Sequence, residues 1–262
     1  MALPSLAPHR SSAAPWRVLA AELDAWAAAG QVARFWWRDD DAVAPSPALD
    51  RLLALAGDAP LTLAVIPEGT GPELARRLAG VGSVTIAQHG IAHENHAPPG
   101  QKRIELGSGV PPELAAAALA GSHRRLAALF GAALLPVLVP PWNRIAPALI
   151  PLLPGCGFGG LSGFGPRRQR LVAPGLVQIN THADPVDWRA RYCRPAAEIA
   201  AVLAGHLADQ RLGRADAEEP AGFLTHHLLD DAAVEALAAD LAALVAAHPA
   251  ARWIGLAEAL AL

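Results

Sequence analysis

The sequence predicts an α/β protein in which parallel strands form a distorted barrel of about seven β/α units. Strand-like and helix-like segments alternate about seven times along the 262 residues, with no internal repeat. Histidines and aspartates cluster where predicted strands end, and barrels of this kind carry their catalytic groups at those ends. An open doubly wound sheet is the alternative, but no glycine-rich phosphate loop follows the first strand.

Composition and charge limit the classes of function. Hydrophobic residues make up 53% of the chain and charged residues 17%, which is typical of a folded globular protein. A net charge of -3 gives no reason to expect nucleic acid as a partner. We expect no membrane span and no signal peptide, and the two cysteines lack zinc-type spacing, so the expected location is cytoplasmic. Residues 1–14 are expected to be a flexible tail and 15–262 one domain.

The first half of the chain gives three strands and three helices. Apolar residues at Trp16, Leu19, Leu23 and Trp26 have helical spacing. Ser46 supplies a helix cap. The predicted elements are helix 15–29, strand 32–37, helix 46–57, strand 61–67, helix 71–80 and a strand at 84–87.

The second half begins with a proline- and glycine-rich loop at 97–110, long enough to form a rim or lid. Helix 111–131 follows, with Leu114, Leu119, Leu126 and Leu129 as expected core residues. The remaining elements are strand 134–140, a short helix at 147–153, strands 157–161 and 174–182, helix 195–212, strand 222–227, helix 230–248 and a last helical turn. His9, His123, His206 and His248 lie in the tail or in helices, where we expect them at the surface.

Polar residues follow five of these strands, and six of the ten histidines are among them. The set comprises Asp39, Asp40 and Asp41; His89, His93 and His96; Trp142, Asn143 and Arg144; His182, Asp184, Asp187 and Trp188; and His226 and His227. Because the carboxyl ends of parallel strands meet at one edge, we expect these side chains to converge.

A divalent metal explains the aspartates and histidines together. His89 and His93 are four residues apart, as on successive turns of a helix, so both imidazoles can face the same way. Two imidazoles and one carboxylate bind a cation such as zinc and leave positions for water and substrate. Three adjacent aspartates repel one another unless a cation relieves the repulsion, and a neighbouring carboxylate can accept a proton from the water. The pattern therefore indicates a metal-dependent hydrolase.

Five ordered motifs resemble those of the polysaccharide deacetylase family, metal-dependent carbohydrate esterases that remove N-acetyl groups from amino sugars. The matching residues are Asp39-Asp40; His89 and His93; Pro140-Pro141-Trp142; Asp184, Asp187 and Trp188; and Leu224-Thr225-His226. They occur in the family's order from residue 39 to 227, which is most of the chain. The family has a distorted (β/α) barrel of about seven strands, in agreement with the fold class predicted above.

The resemblance implies a role for each matched residue. Asp39 corresponds to the general base, and Asp40, His89 and His93 to the ligands of one divalent metal. Zinc is expected, with cobalt, manganese or nickel as alternatives. His226 corresponds to the acid that protonates the leaving amine, and Asp187 to the carboxylate that orients it. The substrate-binding residues implied or expected nearby are Trp142, whose N–H would hold the oxyanion, Leu224, Trp188 and Arg144.

Several assignments remain open in the sequence. Asp40 and Asp41 are an alternative pair, because Asp41 stands where the family usually has glycine. His227 is an alternative acid, since adjacent strand residues face opposite ways. Val139 replaces the family's base-pinning arginine, and Arg38 or Arg144 could take its place. His96 and Asp184 are further candidates, and His182 is expected to pack near Asp184.

The expected function is removal of an N-acetyl group from an amino sugar or glycoconjugate, with a small-molecule or oligosaccharide substrate. One alternative is a related metal-dependent hydrolase of a non-sugar C–N bond. The other is a non-catalytic carbohydrate-binding homologue, which the missing arginine at position 139 motivates. The sequence gives no expectation for the oligomeric state.

Overall fold

The computed structural model describes residues 13–229 and 231–262, and its elements follow the predicted alternation of helices and strands. The helices are α1 Ala13–Ala28, α2 Pro47–Ala56, α3 Pro72–Leu78, α4 Pro112–Phe130, α5 Ala196–Arg211, α6 Ala232–Ala247 and α7 Leu256–Ala261. The strands are β1 Ala33–Ala42, β2 Leu61–Val65, β3 Val84–His89, β4 Leu134–Val139, β5 Gly160–Leu161, β6 Leu171–Ala173, β7 Leu176–Gln178, β8 Val186–Asp187, β9 Tyr192–Cys193, β10 Ala221–Thr225 and β11 Ala251–Trp253. Most of the expected tail, 1–12, and Asp230 lie outside the described residues.

One mostly parallel sheet positions the site. Its strand order is β10-β1-β2-β3-β4-β5-β7-β6, with β11 also paired to β1 and β6 running antiparallel to β7. The predicted α/β class with a parallel sheet is confirmed. The described strands do not close into a barrel, however: one bridge, between Ala183 and Phe223, links the segment after β7 to β10.

Both faces of the sheet are buried, which explains the nearly continuous apolar strands. Trp37 belongs to the larger core between the sheet and the outer helices, where Trp16, Leu19 and Leu23 of α1 pack. Its neighbour Trp36 faces the opposite way into a smaller core with residues of β2, β3 and β4. A strand covered on both sides can bury both tryptophans.

Local sequence signals explain the helix boundaries. Ser46 caps α2 by accepting a hydrogen bond from the Leu49 N–H at 3.0 Å, and Gly57 ends the helix with φ of 55°.

The second half of the chain differs from the sequence-based prediction in three respects. Leu114 is 63% exposed. The segment Pro147–Leu152 is a 3-10 helix, and the short strands β6, β8, β9 and β11 were not predicted. None of the described helices is long and apolar enough to cross a bilayer.

The contact between β10 and the segment after β7 depends on a glycine. The backbone of Gly222 accepts the His182 N–H at 2.7 Å. A Cβ at this position would lie 2.5 Å from the Asn180 carbonyl oxygen and 2.6 Å from the Trp36 indole nitrogen. Backbone and a buried ring cannot move aside as a flexible side chain can.

We therefore predict that Gly222→Ala lowers the free energy of unfolding by about 3 kcal/mol, because the added methyl group overpacks this contact. Gly205→Ala is the matched control: this residue is exposed in α5, and a Cβ there meets no atom within 4 Å. The control should be neutral or stabilising by up to about 1 kcal/mol. Urea denaturation of both variants measures the difference, and equal stabilities would contradict the prediction.

Candidate active site

A bulge near the end of β1 turns two adjacent aspartates toward one cleft. The register of β1 against β2 shifts between Asp39 and Ala42. Asp41 has a φ of 73°, a left-handed conformation that aspartate tolerates better than most residues. Asp40 and Asp41 consequently both line the cleft, whereas a regular strand would point them in opposite directions.

Asp41 meets the two histidines of the predicted metal pair. Its Oδ1 lies 3.1 Å from His89 Nε2 and 3.3 Å from His93 Nε2. Burial raises the pKa of the Asp41 carboxyl, but the hydrogen bond and charge of His89, and the charges of His226 and His93, outweigh burial and lower the pKa to about 2. One ion could therefore bind to the donor atoms of Asp41, His89 and His93 together.

The donor set fits a divalent metal. His89 Nδ1 lies 3.0 Å from the Val139 carbonyl oxygen, an acceptor, so this nitrogen carries a proton, and a neutral ring that bound a metal would offer the Nε2 lone pair on the side of Asp41. A second partner that fixes the tautomer in this way is the usual arrangement of a metal-binding histidine. With one carboxylate oxygen and two such nitrogens, the donor set suits zinc and similar cations.

A buried carboxylate shapes the turn between the two histidines. Residues 90–96 are not helical, which corrects the helical spacing assumed for His89 and His93. Glu105, only 4% exposed, accepts the backbone N–H groups of Ile91 and Ala92 at 2.9 and 2.7 Å, and that of Glu94 at 3.3 Å. His93 itself has φ of 58°. The turn is therefore held by a residue from the 97–110 loop.

Asp40 is clamped by an arginine of its own strand. Arg38, fully buried, approaches Asp40 with Nε at 2.8 Å and Nη2 at 3.0 Å, a two-pronged ion pair. The remaining guanidinium donors reach Asn143 Oδ1 at 2.7 Å and Ser162 Oγ at 2.6 Å. A buried ion pair is stable only when its other donors are satisfied in this manner. Arg144 takes no part: its Nη1 donates to the Arg103 carbonyl.

Asp39 lies on the other side of β1. Its carboxylate accepts hydrogen bonds from Thr225 Oγ1 at 2.6 Å and the His227 N–H at 3.0 Å, and it pairs with His227 Nδ1. Both Asp39 and His227 are buried under α2 and α6 rather than in the cleft. Asp39, the expected base, therefore lies outside the cleft, whereas the alternative pair, Asp40 and Asp41, lines it.

His226 faces the cleft, as expected, but its carboxylate neighbour differs. The His226 ring packs edge-on against Trp188 at 4.6 Å, and Trp188 Nε1 donates to Asp184 at 2.8 Å. Burial raises the pKa of Asp184, although the charge of His226 opposes this shift. Asp187 instead accepts the N–H groups of residues 189 and 190 and pairs with Arg194 at 3.0 Å. The expected contact between Asp187 and His226 is absent from the described part of the chain.

These groups border a cleft of about 1220 Å³. All four expected substrate contacts line it: Trp142, Trp188, Leu224 and Arg144. The Trp142 ring lies 4.4 Å from that of His93. His96 is not among the lining residues and binds the Glu105 carbonyl instead.

A second group of polar residues, His182, His206 and Glu219, is buried, contrary to the surface position expected for His206. The His182 ring stacks on His206 at 3.7 Å rather than packing on Asp184. Burial and the charge of His182 lower the pKa of His206 to about 3. His182 Nδ1 accepts the Gly222 N–H, so a neutral ring carries its proton on Nε2 and offers no lone pair there. This group therefore fits neutral stacked imidazoles better than a metal site.

Comparison with solved structures places this architecture among known folds. A polysaccharide deacetylase from Mycobacterium smegmatis matches with a TM-score of 0.64 and 19% identity, over 88% of this chain and 90% of the other. A family 4 carbohydrate esterase from Streptomyces lividans, in complex with acetate, matches with a TM-score of 0.52 and 15% identity, over 82% and 88% of the chains. This chain has the polysaccharide deacetylase fold.

A third solved structure with this fold is a mutant of a family 4 pseudoenzyme with restored activity, at a TM-score of 0.53 and 14% identity. It covers 88% of this chain and 68% of the other. No model of a known protein family matches the sequence, and no curated protein sequence matches it either. The likeness therefore extends to the fold, while the chemistry of the site depends on the residues themselves.

Two features of this polysaccharide deacetylase fold, the bulge at Asp41 and the role of Glu105, were not assigned from the sequence, and the role of Arg38 was left open. Successive side chains of a strand face opposite ways, so Arg38 and Asp40 lie on the same face of β1, and their spacing could have predicted the ion pair. The bulge at Asp41 had only one indication in the sequence, which is that Asp41 stands where the family usually has glycine. Glu105 lies between eleven and fourteen residues from the N–H groups it binds, in a loop without regular pattern.

We predict that Glu105→Gln weakens zinc affinity about 10- to 100-fold, because an amide NH₂ would face backbone N–H groups and loosen the His89–His93 turn. Glu94→Gln is the matched control, since the Glu94 side chain is 73% exposed. Competition with a chromophoric chelator measures both affinities. Unchanged affinity in the Glu105 variant would show that the turn does not depend on this carboxylate.

Proposed function

We propose that the chain is a metal-dependent deacetylase that hydrolyses the N-acetyl amide of an amino sugar or glycoconjugate. The observation that carries the proposal is the convergence of Asp41, His89 and His93 beside a second carboxylate, Asp40, that bonds neither histidine. The shared fold supports the same reaction class. A bound cation, zinc in our proposal, would polarise the amide carbonyl and lower the pKa of its water.

Asp40 is the proposed base. It lies next in sequence to the proposed ligand Asp41, and Arg38 holds its carboxylate in one orientation through two contacts. A fixed carboxylate can accept the proton of an attacking water with little reorganisation. Arg38 thereby orients the proposed base, which valine at position 139 cannot do. This assignment replaces Asp39, whose carboxylate is occupied by Thr225 and His227.

Two further groups would stabilise the reaction. The backbone N–H of Trp142 donates to no described residue, and Trp142 borders the cleft in a left-handed conformation with φ of 55°. It is the proposed donor to the developing oxyanion. His226, which borders the cleft against Trp188, would deliver a proton to the departing amine.

Two other functions remain as alternatives within the same fold. A non-catalytic sugar-binding homologue was suggested by the absence of an arginine at 139, but the Arg38 clamp removes the reason for it. A hydrolase of non-sugar amides would use the same residues. Acetate release from a panel of N-acetylated sugars distinguishes the proposed function from both, because neither alternative produces acetate from these compounds.

We predict different results for three neighbouring aspartates. Asp41→Asn should weaken zinc affinity by more than about 100-fold, because a metal ligand is lost. Asp40→Asn should keep the metal and lower kcat about 10²- to 10⁴-fold, because the base is lost. Asp39→Asn should neither weaken zinc affinity nor lower kcat in this way. Zinc content and acetate release are measured on each variant, and loss of metal in Asp40→Asn with retention in Asp41→Asn would contradict the register.

Substitutions of the two adjacent histidines, His226 and His227, should also have different effects. We predict that His226→Gln lowers kcat about 10²- to 10⁴-fold with little change in stability, because the leaving amine loses its acid. His227→Gln should instead destabilise the fold by about 2 kcal/mol, since buried Asp39 loses its partner. Steady-state kinetics and thermal unfolding measure the two effects, and a reversed pattern would reject the assignment of the acid.

A further inference from the structure

The walls of the cleft carry three arginines that have no acidic partner within the described parts of the chain. Arg103 belongs to the 97–110 loop, Arg144 follows β4, and Arg191 lies between β8 and β9. Another arginine of the cleft, Arg194, provides the contrast because it pairs with Asp187 and Glu198 at 3.0 and 3.6 Å. Three guanidinium groups therefore remain available to a ligand.

A backbone carbonyl holds one of these arginines, and another has a left-handed backbone conformation. Arg144 donates through Nη1 to the Arg103 carbonyl at 2.8 Å, which ties the segment after β4 to the loop. Arg191 has φ of 56°, a conformation that is unfavourable for a residue with a side chain. Strain of this kind is commonest at ligand sites, where the surrounding structure maintains it.

The acidic residues of the cleft are already engaged elsewhere, so they do not neutralise these arginines. Asp40 pairs with Arg38, and Asp41 with the two histidines. The remaining partners are Trp188 for Asp184, Arg194 for Glu198 and the Ala233 N–H for Asp231. None of these described acids forms an ion pair with Arg103, Arg144 or Arg191, so three arginines without an acidic partner lie on the walls.

We propose that the substrate of this site is anionic: an N-acetylated amino sugar that also carries a phosphate or carboxylate group. The inference depends on the proposed deacetylase function and specifies its substrate class. Guanidinium groups bind both kinds of anion through paired hydrogen bonds. A neutral sugar chain would leave all three arginines without a role, whereas an anion would also be attracted to the cleft from a distance.

The test compares acetate release by the zinc-loaded full chain from three probes: neutral N-acetylglucosamine, N-acetylglucosamine 1-phosphate, and N-acetylmuramic acid, which carries a carboxylate. We expect kcat/KM to be higher for at least one charged probe, and to fall with added salt for that probe only. The preferred probe identifies whether the anion is phosphate or carboxylate.

Variants test the arginines directly. Each of Arg103→Gln, Arg144→Gln and Arg191→Gln should lower the charged-to-neutral ratio of kcat/KM about threefold, and the triple variant more than about tenfold, as for partly exposed ion pairs. Arg76→Gln is the charge-matched control, because Arg76 is exposed on α3, away from the cleft. Its ratio should equal that of the unmodified chain.

Two outcomes separate this inference from the proposed function. Equal turnover of neutral and charged probes, or an unchanged ratio in the triple variant, would overturn the anionic substrate and leave the deacetylase proposal standing. If no probe is hydrolysed, the proposed function fails, and calorimetric Kd values for the same probes decide anion recognition alone. Tighter binding of a charged probe that is lost in the triple variant would support it, and equal Kd values would overturn it.

Discussion

The site depends on one constraint: two adjacent carboxylates must face the same cleft, although successive strand residues normally face opposite ways. The bulge at the end of β1 and the left-handed backbone of Asp41 meet this constraint. Asp40 keeps the orientation that strand alternation gives it, on the same side as Arg38. Asp41 is turned back to meet the histidines of the neighbouring β3 segment. Without the bulge, one of the two carboxylates would lie among the outer helices, as Asp39 does.

Concentrating acids in this way requires each to be balanced by a partner. Arg38 neutralises Asp40 in a buried contact that Asn143 and Ser162 complete from two other segments. The imidazoles balance Asp41, and a bound cation would replace protons there. Glu105 forms no ion pair with a described residue, but three backbone N–H groups satisfy its carboxylate and thereby fix the turn that presents His93. The same contacts that stabilise the charges also orient them, so stability and chemistry share these residues.

The sequence predicted the order of elements and the edge at which polar residues meet, because strand periodicity and parallel topology determine both. It also identified His89, His93, His226 and Trp142 as residues of the cleft. It did not reveal which two of the three aspartates face the cleft, because a bulge changes the direction of a side chain without any change of residue type. The carboxylate near His226 was likewise not evident: Asp184 and Asp187 fit the same motif, and only the turn at 184–190 decides which one bonds the Trp188 ring beside His226. His206 looked like a surface residue of a helix, yet stacking on His182 buries it.

The most direct test is a crystal structure of the zinc-loaded chain with anomalous data collected at the zinc edge. We expect a single strong peak within bonding distance of Asp41, His89 and His93, about 2.0–2.2 Å from each donor atom. Asp40 should remain unbonded to the ion and paired with Arg38. An ion bound by Asp40 or Asp39 instead of Asp41, or no peak between the two histidines, would contradict a metal site formed by Asp41, His89 and His93.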